Sequence, residues 1–76
     1  MTQTKYVIKM KMPTRPDLDY YYCGQSKSGL SSPIFDYRKP KAKRYTFIEE
    51  ANRDLSILAV MTHDDTLTVA PIKCRA

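Results

Sequence analysis

The chain has 76 residues, a hydrophobic content of 42%, a charged content of 28% and a net charge of +5. This length accommodates one domain, and the composition is too apolar for a chain that stays disordered. The longest apolar run, residues 57–61, is far shorter than the roughly 18–20 residues of a membrane-spanning helix. We therefore predict a single folded domain over residues 1–76 with no membrane partner.

The chain offers few groups for metal binding or covalent chemistry. Cys23, Cys74 and His63 are its only cysteines and histidine, which is fewer than the four ligands of a structural zinc site. We predict no metal and no cofactor, and reduced thiols in preference to a disulfide. His63 has only its neighbours Asp64 and Asp65 to act with, and adjacent turn residues do not converge on one substrate. The protein is therefore predicted not to be an enzyme.

The N-terminal part predicts a strand followed by a polar connection. Residues 5–12 alternate, with Lys9 and Lys11 on one face and apolar side chains on the other. Pro13 and Pro16 both lack an amide donor, so they are expected to end the strand and open a connection before the next one.

Three consecutive tyrosines open the second predicted strand, residues 20–24. Neighbouring strand residues point to opposite faces, so a sheet covered by one helix leaves at least one of these rings exposed. The exposed ring is Tyr20 or Tyr21, and Tyr21 is the one that we place among the predicted binding residues. Such a ring either packs on lysine stems or serves as a stacking platform or interface anchor. Serine-rich residues 25–33 then predict a loop, and residues 34–37 a short third strand.

A helix is predicted from Thr46, because Thr46 and Glu49 have the spacing of a capping box. Apolar residues then recur at helical spacing and form one stripe that should face the sheet. The stripe consists of Ile48, Ala51, Leu55 and Leu58.

The C-terminal part predicts a polar turn at residues 63–65, a last strand at residues 66–72 and a frayed end at residues 73–76. Because Pro71 has no amide donor, that strand is expected either to lie at a sheet edge or to bend at Pro71. The predicted fold is a small α+β domain of order β-β-β-α-β, with a mostly antiparallel sheet of three to four strands packed on one α-helix. Unpaired edges at residues 66–72 and 34–37 leave both a monomer and a strand-paired homodimer open.

The positive charge is concentrated in residues 38–44, called here the basic segment. Its cations are Arg38, Lys39, Lys41, Lys43 and Arg44, and the other 69 residues carry eight basic and eight acidic side chains. Pro40 excludes a central strand, so the segment is predicted along an edge or as an exposed turn.

The basic segment allows three interpretations. In the first, the segment is a solvated turn in which Ala42 and Tyr45 face inward. In the second, it is a nucleic-acid site in which cations neutralise phosphates and tyrosines stack on bases. In the third, it is a docking site for an acidic protein surface.

The order of motifs resembles that of short phage or prophage accessory proteins. The stretches YVIK, YYYCG, KAKRYTFIEEANRDL and LTVAPI carry this likeness, which covers nearly the whole chain. The resemblance implies no enzymatic activity. It implies a small accessory protein of a virus or mobile element that binds a macromolecule of the host.

These observations predict a non-enzymatic protein in the cytoplasm of a bacterial host that binds a host or viral protein and so inhibits or modulates a host complex. Binding of DNA or RNA by the basic segment and exposed tyrosines is the alternative. The predicted macromolecule-binding residues are Lys9, Lys11, Tyr21, Arg38, Lys39, Lys41, Lys43 and Arg44.

Overall fold

Over the residues that the structure describes, the protein forms one antiparallel sheet with one α-helix packed on it. The computed structural model describes residues 2–12, 14–25, 33–63 and 66–75. In chain order the elements are β1 (Thr2–Met12), β2 (Arg15–Gln25), β3 (Pro33–Asp36), a 3-10 turn (Lys39–Lys41), α1 (Ile48–Thr62) and β4 (Thr68–Arg75). The strand order is β3-β2-β1-β4, and each neighbouring pair is antiparallel. The predicted small α+β fold is confirmed.

The two faces of the sheet differ because the side chains of β1 alternate. Ile8 and Met10 are buried on the face that packs against α1, here called the helix face. Lys9 and Lys11 lie on the opposite face, here called the second face. The core cluster on the helix face consists of Ile8, Met10, Tyr22, Tyr45, Ala51, Leu58 and Leu67.

The helix contributes part of its predicted stripe to this core. Ala51 and Leu58 are buried, and Leu55 is half-buried against the cluster. Ile48 was expected in the core but is 42% exposed, because it occupies the first helical position, ahead of the first buried residue of α1.

The start of α1 also differs from the predicted capping box. The N-cap residue is Phe47, and no side chain caps the helix. Thr46 Oγ1 instead accepts a hydrogen bond from Lys5 Nζ at 3.1 Å. The cause is tertiary: Tyr45 pairs with Tyr6 of β1, which brings Thr46 beside the preceding residue of that strand.

β2 begins at Arg15, well before the predicted start at Tyr20. The register between β1 and β2 shifts here, because Lys11 pairs with Asp19 whereas Met12 pairs with Arg15. The β2 residues between these two pairs, which include Pro16, have no register partner in β1. A strand tolerates proline at such an irregularity, where no ladder hydrogen bond is required.

β4 includes residues that were predicted to be frayed. Lys73 and Cys74 pair with the N-terminal residues of β1, so that prediction is wrong for them. β4 starts at Thr68, after the predicted start at Thr66. Thr66 Oγ1 accepts a hydrogen bond from the backbone N–H of Lys11 at 3.1 Å and so joins the end of β1.

Parts of the predicted loop and polar turn, residues 26–32 and 64–65, lie outside the described residues. His63 ends α1 in a left-handed conformation with φ of 54°. Cys23 and Cys74 are free thiols on strands that β1 separates. Across the described ranges, no helix has both the length and the apolar character needed to cross a membrane.

Pro71 lies on the free edge of β4, as its sequence position predicted. The backbone N–H and carbonyl of its partner Tyr6 are both bonded to Tyr45, at 2.9 and 2.8 Å, on the other side of β1. Antiparallel ladders alternate bonded and non-bonded pairs, so the nitrogen of Pro71 points away from β1. Pro71 therefore costs the sheet no internal hydrogen bond and removes one donor from the edge where another strand would add.

We expect Pro71→Val to promote association of the protein, because it restores an amide donor on this edge. In analytical ultracentrifugation the mass of the variant should rise with concentration more steeply than that of the unsubstituted protein. Thr68→Val is the control, since it places valine on the same strand where the amide already faces β1. Equal association of both variants would show that added apolar surface, and not the amide, is responsible.

Candidate binding surface

The basic segment begins with the 3-10 turn. The N–H groups of Lys41 and Ala42 donate hydrogen bonds to the carbonyls of Arg38 and Lys39, at 3.1 and 3.0 Å. Pro40 occupies one of the first positions of the turn, where its missing donor is not needed. The side chains of Lys39 and Lys41 are exposed. The exposed turn predicted from the sequence is therefore present in the first half of the segment.

The second half of the basic segment is inserted into the sheet. The N–H of Lys43 donates to the carbonyl of Tyr22 in β2 at 2.8 Å, while Tyr45 and Tyr6 of β1 exchange two backbone hydrogen bonds. The chain thus fills the gap where β1 and β2 diverge beyond their paired residues. Ala42 and Tyr45 are buried, as predicted. The predicted edge position is wrong for this half, because backbone atoms from both strands hold it.

Lys43 turns toward the helix face. Its Nζ lies 3.6 Å from Asp54 Oδ2 and 5.1 Å from the centroid of the Tyr45 ring. The hydroxyl of Tyr45 donates to the same carboxylate oxygen at 2.5 Å. Burial, and then this hydrogen bond to Asp54, raise the pKa of Tyr45 far above its ordinary value. The three side chains join the basic segment to α1, so Lys43 has a structural role.

Lys9, Lys11 and Tyr21, all predicted site residues, lie together on the second face. Lys9 and Tyr21 are register partners on β1 and β2. The Nζ atoms of both lysines lie 3.5 Å from the two oxygens of Asp19. Two lysines therefore share one carboxylate, and Tyr21 is half-buried beside them.

Arg38 is paired with Asp36 at the end of β3. Its Nε and Nη2 atoms donate to the carboxylate at 3.3 and 3.1 Å, and its backbone N–H donates at 2.8 Å. These hydrogen bonds hold the pKa of Asp36 below its ordinary value. Because Asp36 is also the register partner of Tyr21, Arg38 adjoins the group formed by Tyr21 and the two lysines.

Cys23 lies close to this group, and its environment disfavours thiolate chemistry. Burial, and next the charge of Asp36, raise the pKa of the Cys23 thiol. The thiolate is the nucleophilic form, so this environment disfavours the reactive form of Cys23. Among the described residues, no cluster of three or more histidine, cysteine, aspartate or glutamate side chains is placed to hold a metal ion.

Lys39, Lys41 and Arg44 are the remaining cations of the basic segment, and all three are exposed. In the part of the chain that the structure describes, no ion pair joins any of them to a carboxylate. Arg44 lies between Lys43 and Tyr45, both of which contact groups on the helix face, so alternation directs Arg44 to the second face. The basic segment thus divides into paired cations that fix the fold and unpaired cations that face solvent.

An open cleft of about 420 Å³ lies between the 3-10 turn and β4. Its lining residues are Lys39, Pro40, Arg44, Ile72, Lys73 and Cys74. Lys73 was missed by the sequence-based prediction, because residues 73–76 were expected to be frayed. β4 in fact continues to Arg75, and no local pattern in the sequence places Lys73 beside the basic segment. Val7 is fully buried on the second face.

Of the six tyrosines, all of which the structure describes, only Tyr37 is exposed, at 58%. Its ring contacts Tyr20 edge-on, with the centroids 6.3 Å apart, and the Arg38 guanidinium lies 6.0 Å from its centroid. Tyr20 and Tyr21 are half-buried and Tyr22 is buried. The predicted exposed tyrosine is therefore not a fully exposed ring, and no aromatic side chain lines the cleft.

Fold and surface together define a small α+β domain with a cationic surface. No protein-family model matches the chain, and no curated protein or solved structure matches it either. Its function must therefore be inferred from this surface.

Proposed function

We propose that the protein is a non-enzymatic binding protein that engages the acidic surface of a protein partner through Lys39, Lys41 and Arg44. The supporting observation is that these three exposed cations have no ion-pair partner among the described residues, while backbone hydrogen bonds to β1 and β2 hold their segment. A preorganised segment loses less conformational freedom on binding. Complementary charge then steers association and fixes the orientation of the partners.

The other predicted site residues have a supporting role in this proposal. Lys9 and Lys11 share Asp19, and Arg38 binds Asp36, so much of their charge is balanced within the protein. Solvated ion pairs at the border of an interface contribute little affinity but help to exclude wrong partners. Tyr21, half-buried between them, supplies apolar contact area at that border.

The resemblance to short phage and prophage proteins supports a proposed origin and place of action for the protein. In the proposal, the protein belongs to a phage or mobile element and acts in the cytoplasm of a bacterial host. It binds a host or viral protein stoichiometrically and thereby inhibits or modulates a host complex.

The test is affinity capture from nuclease-treated bacterial lysate, with captured proteins identified by mass spectrometry. The double variant Lys39→Gln/Arg44→Gln should bind the partner about tenfold more weakly than the unsubstituted protein. This loss corresponds to about 1.4 kcal/mol of binding free energy. Adding Lys41→Gln should complete the loss. Arg15→Gln/Arg53→Gln is the control, because it removes the same charge from exposed positions elsewhere.

Equal loss in the test and control variants would contradict a local site and indicate nonspecific attraction to net charge. A partner without an acidic surface would contradict the proposed recognition. Both variants must keep the circular dichroism spectrum of the unsubstituted protein for the comparison to count.

DNA or RNA binding is a second candidate because exposed Tyr37 lies beside Arg38 and the 3-10 turn, where a base could stack on the ring. Fluorescence anisotropy with labelled single- and double-stranded oligonucleotides, at about 50 and 200 mM salt, separates this candidate from the first. Three phosphate contacts predict a slope of log affinity against log salt of about −2.7 for a duplex and about −2.1 for a single strand. Saturable binding with such a slope, lost in Lys39→Gln/Arg44→Gln, would replace the protein-partner proposal.

A further inference from the structure

We propose that the cleft between the 3-10 turn and β4 binds an acidic peptide segment that carries an aliphatic side chain. This inference rests on the proposed function and names the part of the partner that would be recognised. The acidic side chains would meet the cations at the rim, and the aliphatic side chain would enter the cleft.

The charge of the cleft has one sign. Lys39, Arg44 and Lys73 line it, and none of the described residues that line it is acidic. The three cations come from the two ends of the basic segment and from β4, so only the folded chain brings them together. None of them forms an ion pair within the described ranges. A carboxylate placed here therefore displaces no existing ion pair.

The remaining lining of the cleft is apolar or weakly polar. Pro40, Ile72 and Cys74 supply it, and Ile72 is half-buried. Lys5, the register partner of Ile72 on β1, directs its Nζ to Thr46 at 3.1 Å. An aliphatic side chain in this cleft would remove apolar surface from water on both partners, which is the favourable term that charge alone does not provide.

The same lining favours a peptide over a nucleic acid. Single-stranded nucleic acids bind through aromatic platforms on which bases stack, together with cations along the backbone. The cleft has no aromatic side chain, and the exposed ring of Tyr37 is not among its lining residues. An aliphatic group flanked by carboxylates matches both the apolar lining and the surrounding cations.

The test is a ¹H–¹⁵N NMR titration of the full chain with two synthetic peptides of equal charge. One is Glu-Glu-Leu-Glu-Glu, and the other has serine in place of leucine. We expect the leucine peptide to shift the amide resonances of Lys39, Ile72, Lys73 and Cys74, and to bind about tenfold more tightly than the serine peptide. Lys73→Gln should lower the affinity for the leucine peptide several-fold. Arg15→Gln, which removes one charge at a distant exposed position, should not.

The outcomes separate this inference from the proposed function. If both peptides bind equally and Lys73→Gln has no effect while Lys41→Gln does, the cleft is wrong and the cationic surface remains. If shifts appear only around Lys9, Lys11 and Tyr21, the cleft is also wrong. If neither peptide binds while an oligonucleotide shifts the basic segment, both proposals fail. Absence of any binding to the leucine peptide at millimolar concentration overturns the inference about the cleft.

Discussion

Replacing Leu58 by alanine is expected to lower the free energy of unfolding by about 2–5 kcal/mol, the range measured for truncation of buried leucines. Leu58 is 2% exposed and lies in the core cluster between α1 and the sheet. A domain of this size has a small total stability, so the variant should be largely unfolded at room temperature or close to it. Urea denaturation followed by circular dichroism measures the change.

Val60→Ala is the matched control for Leu58→Ala. It lies on the same helix but is 73% exposed, and alanine is the better helix former. We expect its unfolding free energy to stay within about 0.5 kcal/mol of the original, or to rise slightly. A comparable loss in both variants would mean that α1 does not pack on the sheet through the Leu58 side.

Raising the pH above about 10 is expected to destabilise the protein by up to about 1.4 kcal/mol per pH unit for Tyr45. Burial and the hydrogen bond to Asp54 raise the pKa of Tyr45 in the folded state. The unfolded chain therefore releases the phenolic proton at a pH where the folded protein retains it. This contribution is fully present below pH 10, the ordinary pKa of tyrosine, and is lost as the pH rises above it. Urea unfolding between pH 8 and 11 measures the loss.

Tyr45→Phe should separate the two effects of the Tyr45 hydroxyl, which are its hydrogen bond to Asp54 and its contribution to the pH dependence of stability. At pH 8 it removes the hydrogen bond to Asp54 and should cost about 1–3 kcal/mol of unfolding free energy. Above pH 10 the variant should lose stability less steeply than the original protein. Some loss should remain in the variant, because burial also raises the pKa of Tyr22. Tyr37→Phe, which removes a hydroxyl from an exposed ring, is the control and should leave the free energy of unfolding at pH 8 unchanged. An unchanged slope in Tyr45→Phe would contradict this account.

The fold could be predicted where the pattern is set by local alternation. The contrast of Lys9 and Lys11 with Ile8 and Met10 is enough to orient β1, and the helical spacing of Ala51 and Leu58 is enough to orient α1. The start of α1 could not be predicted in the same way. A capping box is a local pattern, and pairing of Tyr45 with a distant strand overrides it.

The candidate surface was only partly predictable for a similar reason. In the sequence, the five cations of the basic segment are equivalent, and nothing local shows which of them is paired. Asp54, which binds Lys43, lies on the helix beyond the segment. Lys73 is distant in sequence from the basic segment, so only the fold shows that it lines the same cleft as Lys39. The pairing that separates structural from exposed cations is tertiary information.

The attachment of the basic segment through its backbone has a consequence for how this protein can evolve. Hydrogen bonds from main-chain atoms do not depend on side-chain identity, and Ala42 and Tyr45 provide the buried contacts. Positions 39, 41 and 44 can therefore change without loss of the fold. A lineage under pressure from a mutating partner could alter these side chains repeatedly, and its members would diverge in the partners they recognise while keeping the same architecture.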